Sequence, residues 1–243
     1  MGYMLNSWVL FVLILIYLLP VVIVYIWFRL AKYQISLVQF LFAFLAGAAA
    51  FFPALVLQNL LSFKFFSHGR LALFYNFFIR ISLTEELSRF IMLFIFFFIG
   101  FRIKPPADES QPPDFNVIKR GTAVGLIAGF GFAILESARY AADGMSINIA
   151  LLRIFTAALH GACSSRVGSA IVILRKNPSQ AITRFLTAVA IHGVYNLMVY
   201  TQSLLPSIAA VLITLSALIT TILSIRGGWE SVSISLDKSE ENQ

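Results

Sequence analysis

Residues 36–62 read SLVQFLFAFLAGAAAFFPALVLQNLLS and carry no charged side chain. Residues 8–28, WVLFVLILIYLLPVVIVYIWF, form another uncharged apolar run nearer the amino terminus. A helix needs about 20 mostly apolar residues to cross the roughly 30 Å of hydrocarbon in a bilayer. Because lipid offers the backbone no hydrogen-bond partners, each such segment must be helical. Both runs therefore predict transmembrane helices.

The composition of the whole chain points the same way. Hydrophobic residues make up 59% of it and charged residues 12%, whereas soluble domains have about 45–50% apolar and about 25% charged residues. The apolar runs predict an all-α, polytopic transmembrane helix bundle with about seven spans. The predicted spans are 8–30, 36–62, 71–101, 120–142, 147–174, 181–203 and 205–225.

One membrane-embedded domain is expected, covering residues 1–226. Its only long connector is 102–119, where four prolines and mixed charges predict an exposed loop. Residues 227–243 are rich in serine and glutamate and are expected to form a mobile polar tail.

Basic residues orient the spans, because cytoplasmic loops carry an excess of Lys and Arg. With the amino terminus outside, the outer loops hold only Lys64 and Arg70. We therefore expect a multi-pass protein of the cell membrane with its amino terminus outside and its carboxyl terminus cytoplasmic. The net positive charge of the chain is then explained by cytoplasmic loops that lie against the anionic surface of the lipid bilayer. No nucleic-acid partner is expected. The cytoplasmic segments hold eleven basic residues: Arg29, Lys32, Arg102, Lys104, Lys119, Arg120, Arg175, Lys176, Arg184, Arg226 and Lys238.

Several ionisable side chains lie inside the predicted spans, where each costs at least about 2.5–3.5 kcal/mol on insertion scales. They must face one another or a wet cavity. At about 1.5 Å per helical residue, four of them on four different spans reach similar depths near the midplane. These four are Glu85, Glu136, His160 and His192. Their convergence predicts a functional site, and the alternative is a set of struts between helices.

The spacing around the first of these residues adds detail. In TEELSRF, Glu85 and Glu86 lie four and three residues before Arg89, so Arg89 can partly neutralise both carboxylates. Adjacent helical side chains point about 100° apart, so only one of the two carboxylates is expected to face the site. Asn196 lies four residues after His192 and is placed to orient the imidazole or to hold an oxyanion.

The other arginines and the glycines in the spans are expected to have structural roles. Glu136 lies three residues before Arg139, a spacing that allows an ion pair on one helix. No chemistry is assigned to Arg80, Arg153 or Arg166. Three glycines in span four are expected to let it approach a neighbouring helix closely: Gly125, Gly129 and Gly131.

These patterns resemble the motifs of the PrsW family of intramembrane proteases. The segment EELSR (85–89) resembles the EExxK or EExxR motif of that family, and FAILE (132–136) resembles its FAxxE motif. His160 and His192 follow in the order in which such proteins carry their histidines. The resemblance covers about residues 80–200, which is most of the predicted membrane core.

The resemblance implies an intramembrane endopeptidase that cuts a single-span, membrane-anchored substrate, such as an anti-sigma factor, from the extracytoplasmic side. Arg89 replaces the Lys of the family motif, which keeps the charge but removes a group able to lose its proton. Arg89 and Asn196 are implied as supporting residues. The implied catalytic residues are Glu85, Glu86, Glu136, His160 and His192.

Other functions stay open at this point. The PrsW family is similar to a wider clan that includes CAAX prenyl endopeptidases and bacteriocin-immunity proteins. That branch typically has histidine where Glu136 stands, so Glu136 favours the PrsW side. The alternatives are a prenyl endopeptidase or immunity-like protein, a non-catalytic membrane binding protein, and a transporter, although no inverted repeat is visible.

Two chemistries fit the candidate residues. Either Glu85 or Glu86 activates water as a general base and a histidine assists, or glutamates and histidines bind Zn²⁺, which lowers the pKa of a bound water. The chain has no HExxH motif. The resemblance to the prenyl-protease branch favours metal-free chemistry, so no cofactor is preferred and zinc is the alternative.

Overall fold

The computed structural model describes residues 7–33, 35–62, 69–100, 115–142 and 147–226. Within these ranges the chain forms helices and no strand, so the predicted all-α bundle is confirmed. The helices are α1 (Ser7–Leu30), α2 (Leu37–Leu60), α3 (residues 70–100), α4 (Phe115–Ala142), α5 (Ile147–Ile173), α6 (Pro178–Tyr200) and α7 (Leu204–Arg226). Each of these helices overlaps one of the predicted spans, with ends that differ by up to five residues.

Among the residues that the structure describes, four helices are long and apolar enough to cross a membrane. Their outward faces are apolar, and Leu45, Phe52 and Val56 on α2 and Leu212 and Ile219 on α7 are more than half exposed. A contiguous surface of this kind would promote association in water and is suited to lipid. The four stretches are Leu37–Leu60, Val117–Ala141, Pro178–Tyr200 and Leu204–Arg226.

Local signals set where helices begin. At the start of α2 the Ser36 hydroxyl accepts a hydrogen bond from the Gln39 amide, and the Gln39 side chain accepts one from the Ser36 amide. At the start of α6 the Asn177 side chain accepts from the Gln180 amide, and Pro178 occupies the first turn. These caps fix the residues at which α2 and α6 begin.

The predicted loop at 102–119 is wrong at its carboxyl end, because α4 already begins at Phe115. Apolar packing favours the helix there, since Ile118 is buried against Ala170 and Ile173 of α5. Residues 102–114 and the predicted tail at 227–243 lie outside the described residues.

Helix α4 is the central helix of the bundle. Its apolar stretch is 78% buried, against 28–33% for the other three spanning stretches. A Cβ added to Gly125 would lie 2.1 Å from the carbonyl oxygen of Ser164 on α5, and one added to Gly131 would lie 2.0 Å from that of Phe44 on α2. Gly129 makes an equally close approach to α5. The predicted role of these glycines in close helix packing is therefore confirmed.

Helix α3 carries two wide turns. Its consecutive segments are α-helical Arg70–Phe74, π-helical Tyr75–Leu83, α-helical Thr84–Ile95 and π-helical Phe96–Gly100. Turns of the π type are rare and often lie at functional sites. The first one ends immediately before the EELSR segment, whose charged side chains point into the bundle.

Candidate active site

Six ionisable side chains from four helices meet inside the bundle. Five of them are no more than 3% exposed, and only Glu136 is half-buried. The predicted meeting of four spans is therefore confirmed. The six are Glu85, Glu86 and Arg89 on α3, Glu136 on α4, His160 on α5 and His192 on α6.

Arg89 is the hub of this cluster and is fully buried. Its guanidinium donates to Glu86 Oε1 at 2.5 Å and to Ser164 Oγ at 3.1 Å. It also lies 2.9 Å from His160 Nδ1, and its Cζ stands 4.5 Å from the centre of the Phe132 ring. Because a buried cation needs a charge partner and filled hydrogen bonds, Arg89 ties α3 to α5 at the level of His160.

The tautomer of His160 follows from its two partners, from which hydrogen positions are assigned. A guanidinium can only donate, so Nδ1 of His160 accepts from Arg89. Its Nε2 then carries the hydrogen and donates to Glu136 Oε2 at 2.7 Å. His160 is thus held at both ring nitrogens.

The Nδ1 atom of His192 has two polar neighbours, Glu86 Oε1 at 2.9 Å and the Arg89 guanidinium at 3.4 Å, and the shorter contact assigns its hydrogen. Its Nδ1 donates to Glu86 Oε1 at 2.9 Å, since a carboxylate can only accept. Its Nε2 keeps a lone pair and lies 3.7 Å from Glu85 Oε2, beyond hydrogen-bonding distance. A carboxylate on one nitrogen and a free lone pair on the other is typical of metal-binding histidines.

Both adjacent glutamates therefore face the site, and the expectation that only one would do so is wrong. Glu86 binds one nitrogen of His192 and Glu85 approaches the other. The imidazole ring is wide enough to meet two side chains that leave the helix about 100° apart.

Glu85 has one satisfied and one unsatisfied oxygen. Its Oε1 accepts from Gln58 Nε2 on α2 at 2.9 Å. Its Oε2 is buried and has no hydrogen-bond partner among the described residues. The backbone carbonyl of Gln58 is itself held by Arg80 Nε at 3.1 Å. The sequence interpretation missed Gln58, although a polar residue in an otherwise apolar span was an available signal.

Glu136 has a charge partner on the neighbouring helix. Arg153 of α5 donates through NH2 to Glu136 Oε2 and through Nε to Ser137 Oγ at 3.0 Å. Its guanidinium also lies 4.2 Å from the centre of the Tyr140 ring. The sequence assigns Arg153 no chemistry, and the structure pairs it with Glu136 at the edge of the six-residue cluster. It precedes His160 by seven residues, a helical spacing that puts both on one face of α5.

The remaining residues that the sequence singled out lie further from the cluster. Asn196 is half-buried one turn after His192, and none of the described hydrogen bonds joins the two. Its supporting role therefore stays a prediction. Arg166 donates to the Ala162 carbonyl and the Thr220 hydroxyl, which binds α5 to α7 away from the cluster.

A cavity of about 140 Å³ adjoins Glu85 and Glu136. At roughly 30 Å³ for each molecule of liquid water, it has room for about four waters. It reaches the surface beside Arg139 and Tyr140, which are both exposed. Water therefore has a route to the buried carboxylates.

The donor set fits a divalent metal. Glu85, His160 and His192 each offer a ligand atom within 4.8 Å of the other two. Glu85 Oε2 has no hydrogen bond among the described residues, and His192 Nε2 lies 3.7 Å from it. Catalytic zinc sites use three such protein ligands and keep a fourth position open. His160 must release either Arg89 or Glu136 to become the third ligand.

Residues 36–223 match the family described as PrsW family intramembrane metalloprotease. The chain belongs to this family. The match covers more than half of the chain and includes all six residues of the cluster, so the resemblance carried by EELSR and FAILE is confirmed. No curated protein and no solved structure matches the chain.

Proposed function

We propose that this PrsW-family protein is an endopeptidase of the cell membrane that hydrolyses a peptide bond in a single-span, membrane-anchored protein, with an anti-sigma-factor-like protein as the substrate class. The observation that carries the proposal is the buried Glu85, unsatisfied at Oε2, facing His192 beside a cavity that admits water. A buried carboxylate oxygen that accepts no hydrogen bond is costly, and intramembrane carboxylates usually mark functional sites.

Glu85 is the carboxylate that faces the water-accessible cavity in this proposal. Its Oε2 is available and its side chain lines the cavity. The Oε2 atom of Glu86 also lacks a hydrogen-bond partner among the described residues, but Glu86 does not line the cavity, and its Oε1 binds Arg89 and His192. Glu86 is therefore assigned as a positioning residue. This distribution separates two adjacent glutamates that sequence spacing left equivalent.

We propose further that the site is metal-dependent, with zinc as the candidate ion. Glu85, His160 and His192 would hold it. Bound there, zinc would lower the pKa of a water and polarise the peptide carbonyl. The sequence favoured metal-free chemistry by resemblance to prenyl proteases, whereas the unsatisfied Glu85 oxygen and the family description favour a metal.

The surrounding residues hold these groups in place and move the proton. Glu86 orients His192, and Gln58 fixes one oxygen of Glu85 so that the other faces the cavity. Glu136 lines the same cavity and is the candidate group that carries a proton from water to the leaving amine. Arg153 balances the charge of Glu136.

The position of the cavity supports cleavage from the extracytoplasmic side. Gln58 lies two residues before the end of α2, and Glu136 lies six residues before the end of α4. The distribution of basic residues predicts that these helix ends are on the outer side of the membrane. The orientation itself stays a prediction, which protease protection of tagged termini would test.

Five single variants test the proposed function. The purified protein is reconstituted with a reporter that carries one transmembrane segment, and cleavage is followed by gel and mass spectrometry. Each variant is expected to lose at least about 100-fold in rate, a typical loss for a positioned acid–base or metal-binding group. Thr183→Ala, at an exposed position on α6, is the matched control. The five variants are Glu85→Gln, Glu86→Gln, Glu136→Gln, His160→Ala and His192→Ala.

Full cleavage by all five variants would refute the assignment. A catalytically silent binding protein predicts a different pattern, in which the wild type cuts no reporter and the five variants keep their association with the partner.

A further inference from the structure

The cavity beside the cluster has two unlike walls. One wall is polar and contains Gln58, Glu85 and Glu136. The rest of the lining, called the apolar wall below, comes from the same three helices, about one turn away from the polar residues. The apolar wall is formed by Phe51, Ala54 and Leu55 of α2, Ile81 of α3 and Phe132 of α4.

We propose that this apolar wall is a substrate subsite, which binds one compact apolar side chain next to the scissile peptide bond. The inference rests on the proposed endopeptidase function and adds the side chain that the enzyme selects.

The apolar wall is continuous with the cluster. The Phe132 ring lies 5.1 Å from the His160 ring and packs on Arg89. Phe51 meets the other side of Phe132 at 5.8 Å between ring centres, and Ala54 is buried in the same apolar group. A side chain seated on this wall therefore brings its own backbone to the polar wall, where Glu85 lies.

The size of the cavity limits what can be seated there. A volume of about 140 Å³ is close to that of engineered apolar cavities of about 150 Å³ that bind benzene. Leucine and phenylalanine side chains fit such a space, and tryptophan is too large. Glycine and alanine leave most of the wall without contacts, which forfeits dispersion energy.

Two substitutions on α2 change the wall without touching the cluster. Ala54→Leu places bulk in the cavity, and Leu55→Ala enlarges it. Val56→Phe is the matched control, because it adds bulk one residue further along the same helix at a position that is 58% exposed.

The test measures cleavage specificity. The cleaved bond of a single-span reporter is first mapped by mass spectrometry, and each of the two residues that flank it is then varied among Gly, Ala, Leu, Phe and Trp. Wild type and variants are compared in proteoliposomes by kcat/KM for each reporter. Differences of one methylene in an apolar pocket change kcat/KM by about 10- to 200-fold.

Wild type is expected to prefer Leu and Phe at one flanking position. Ala54→Leu should shift that preference by at least about tenfold toward Ala and Gly, and Leu55→Ala should shift it toward Trp. Val56→Phe should keep the wild-type profile. If Ala54→Leu does not fold, the change of side-chain preference in Leu55→Ala tests the subsite alone.

Two results would overturn the subsite and leave the proposed function standing. One is an unchanged profile in both cavity variants. The other is an equal loss on all reporters in Ala54→Leu and no change in profile in Leu55→Ala, which would mean that the cavity only admits water. If the wild type cuts no reporter, the proposed function itself fails and the subsite with it.

Discussion

Gly129 offers a direct test of how the helices position the cluster. A Cβ added to Gly129 would lie 2.2 Å from the carbonyl oxygen of His160 and 2.6 Å from the Cα of Gly161. Ordinary contacts of Cβ atoms begin at 3.4 Å. Backbone atoms cannot rotate away, so Gly129→Ala must separate α4 from α5 by the difference between 3.4 and 2.2 Å, roughly 1.2 Å.

That separation acts on the bond between His160 and Glu136, which joins the same two helices. A 2.7 Å hydrogen bond lengthened by about 1.2 Å no longer exists as a hydrogen bond. Misplacement by about 1 Å can cost about 100-fold in rate. We therefore expect Gly129→Ala to lower kcat about 100-fold with a smaller effect on KM. The assay is the initial rate of reporter cleavage in proteoliposomes, with the thermal midpoint measured alongside.

Gly161→Ala is the matched control at the same level of the same interface. A Cβ there would meet the Leu126 Cδ1 atom at 2.9 Å and the Phe130 ring at 3.2 Å, which are side-chain atoms that can shift. It should keep most of its activity. Wild-type cleavage by Gly129→Ala, or equal losses in both variants, would refute the claim that the contact between α4 and α5 positions His160.

Three further substitutions test individual contacts. Arg153→Met should lower both kcat and the thermal midpoint, because removing one partner of a buried ion pair costs up to about 3–5 kcal/mol. Arg153→Lys should restore part of each, and equal defects in the two variants would contradict the pairing with Glu136. Gln58→Leu should reduce kcat about 10- to 100-fold, because hydrogen bonds to charged groups contribute about 1.5–3 kcal/mol; an unchanged kcat would show that Glu85 needs no such support. Arg89→Lys should fold with a lowered thermal midpoint, because it loses the forked donors that reach two helices; an unchanged midpoint would contradict the role of Arg89 as hub.

The membrane character and the members of the cluster could be predicted because lipid leaves few alternatives. An uncharged run such as 36–62 has to be helical in a bilayer. Glutamates and histidines at mid-depth have to find one another or water. That argument found Glu85, Glu136, His160 and His192 without any knowledge of how the helices pack.

The partners of these residues could not be predicted, because they depend on how each helix is rotated against its neighbours. Spacing along one helix offered Arg139 as a partner of Glu136, and the bundle supplies Arg153 from the next helix. Gln58 stood out in the sequence only as a polar residue in an apolar span, and its contact with Glu85 depends on the packing of α2 against α3. Spacing along a helix also does not reveal that the imidazole ring of His192 is wide enough to meet two glutamates.

The central claim is that Glu85, His160 and His192 form a metal-dependent site for peptide-bond hydrolysis. The most direct measurement is the cleavage rate of the single-span reporter by protein stripped with a chelator, before and after zinc is returned, with bound zinc determined on the same samples. The account predicts about one zinc per wild-type chain, loss of cleavage on stripping and recovery on reloading, and little bound zinc in His192→Ala. Full cleavage by protein that holds no metal would contradict it.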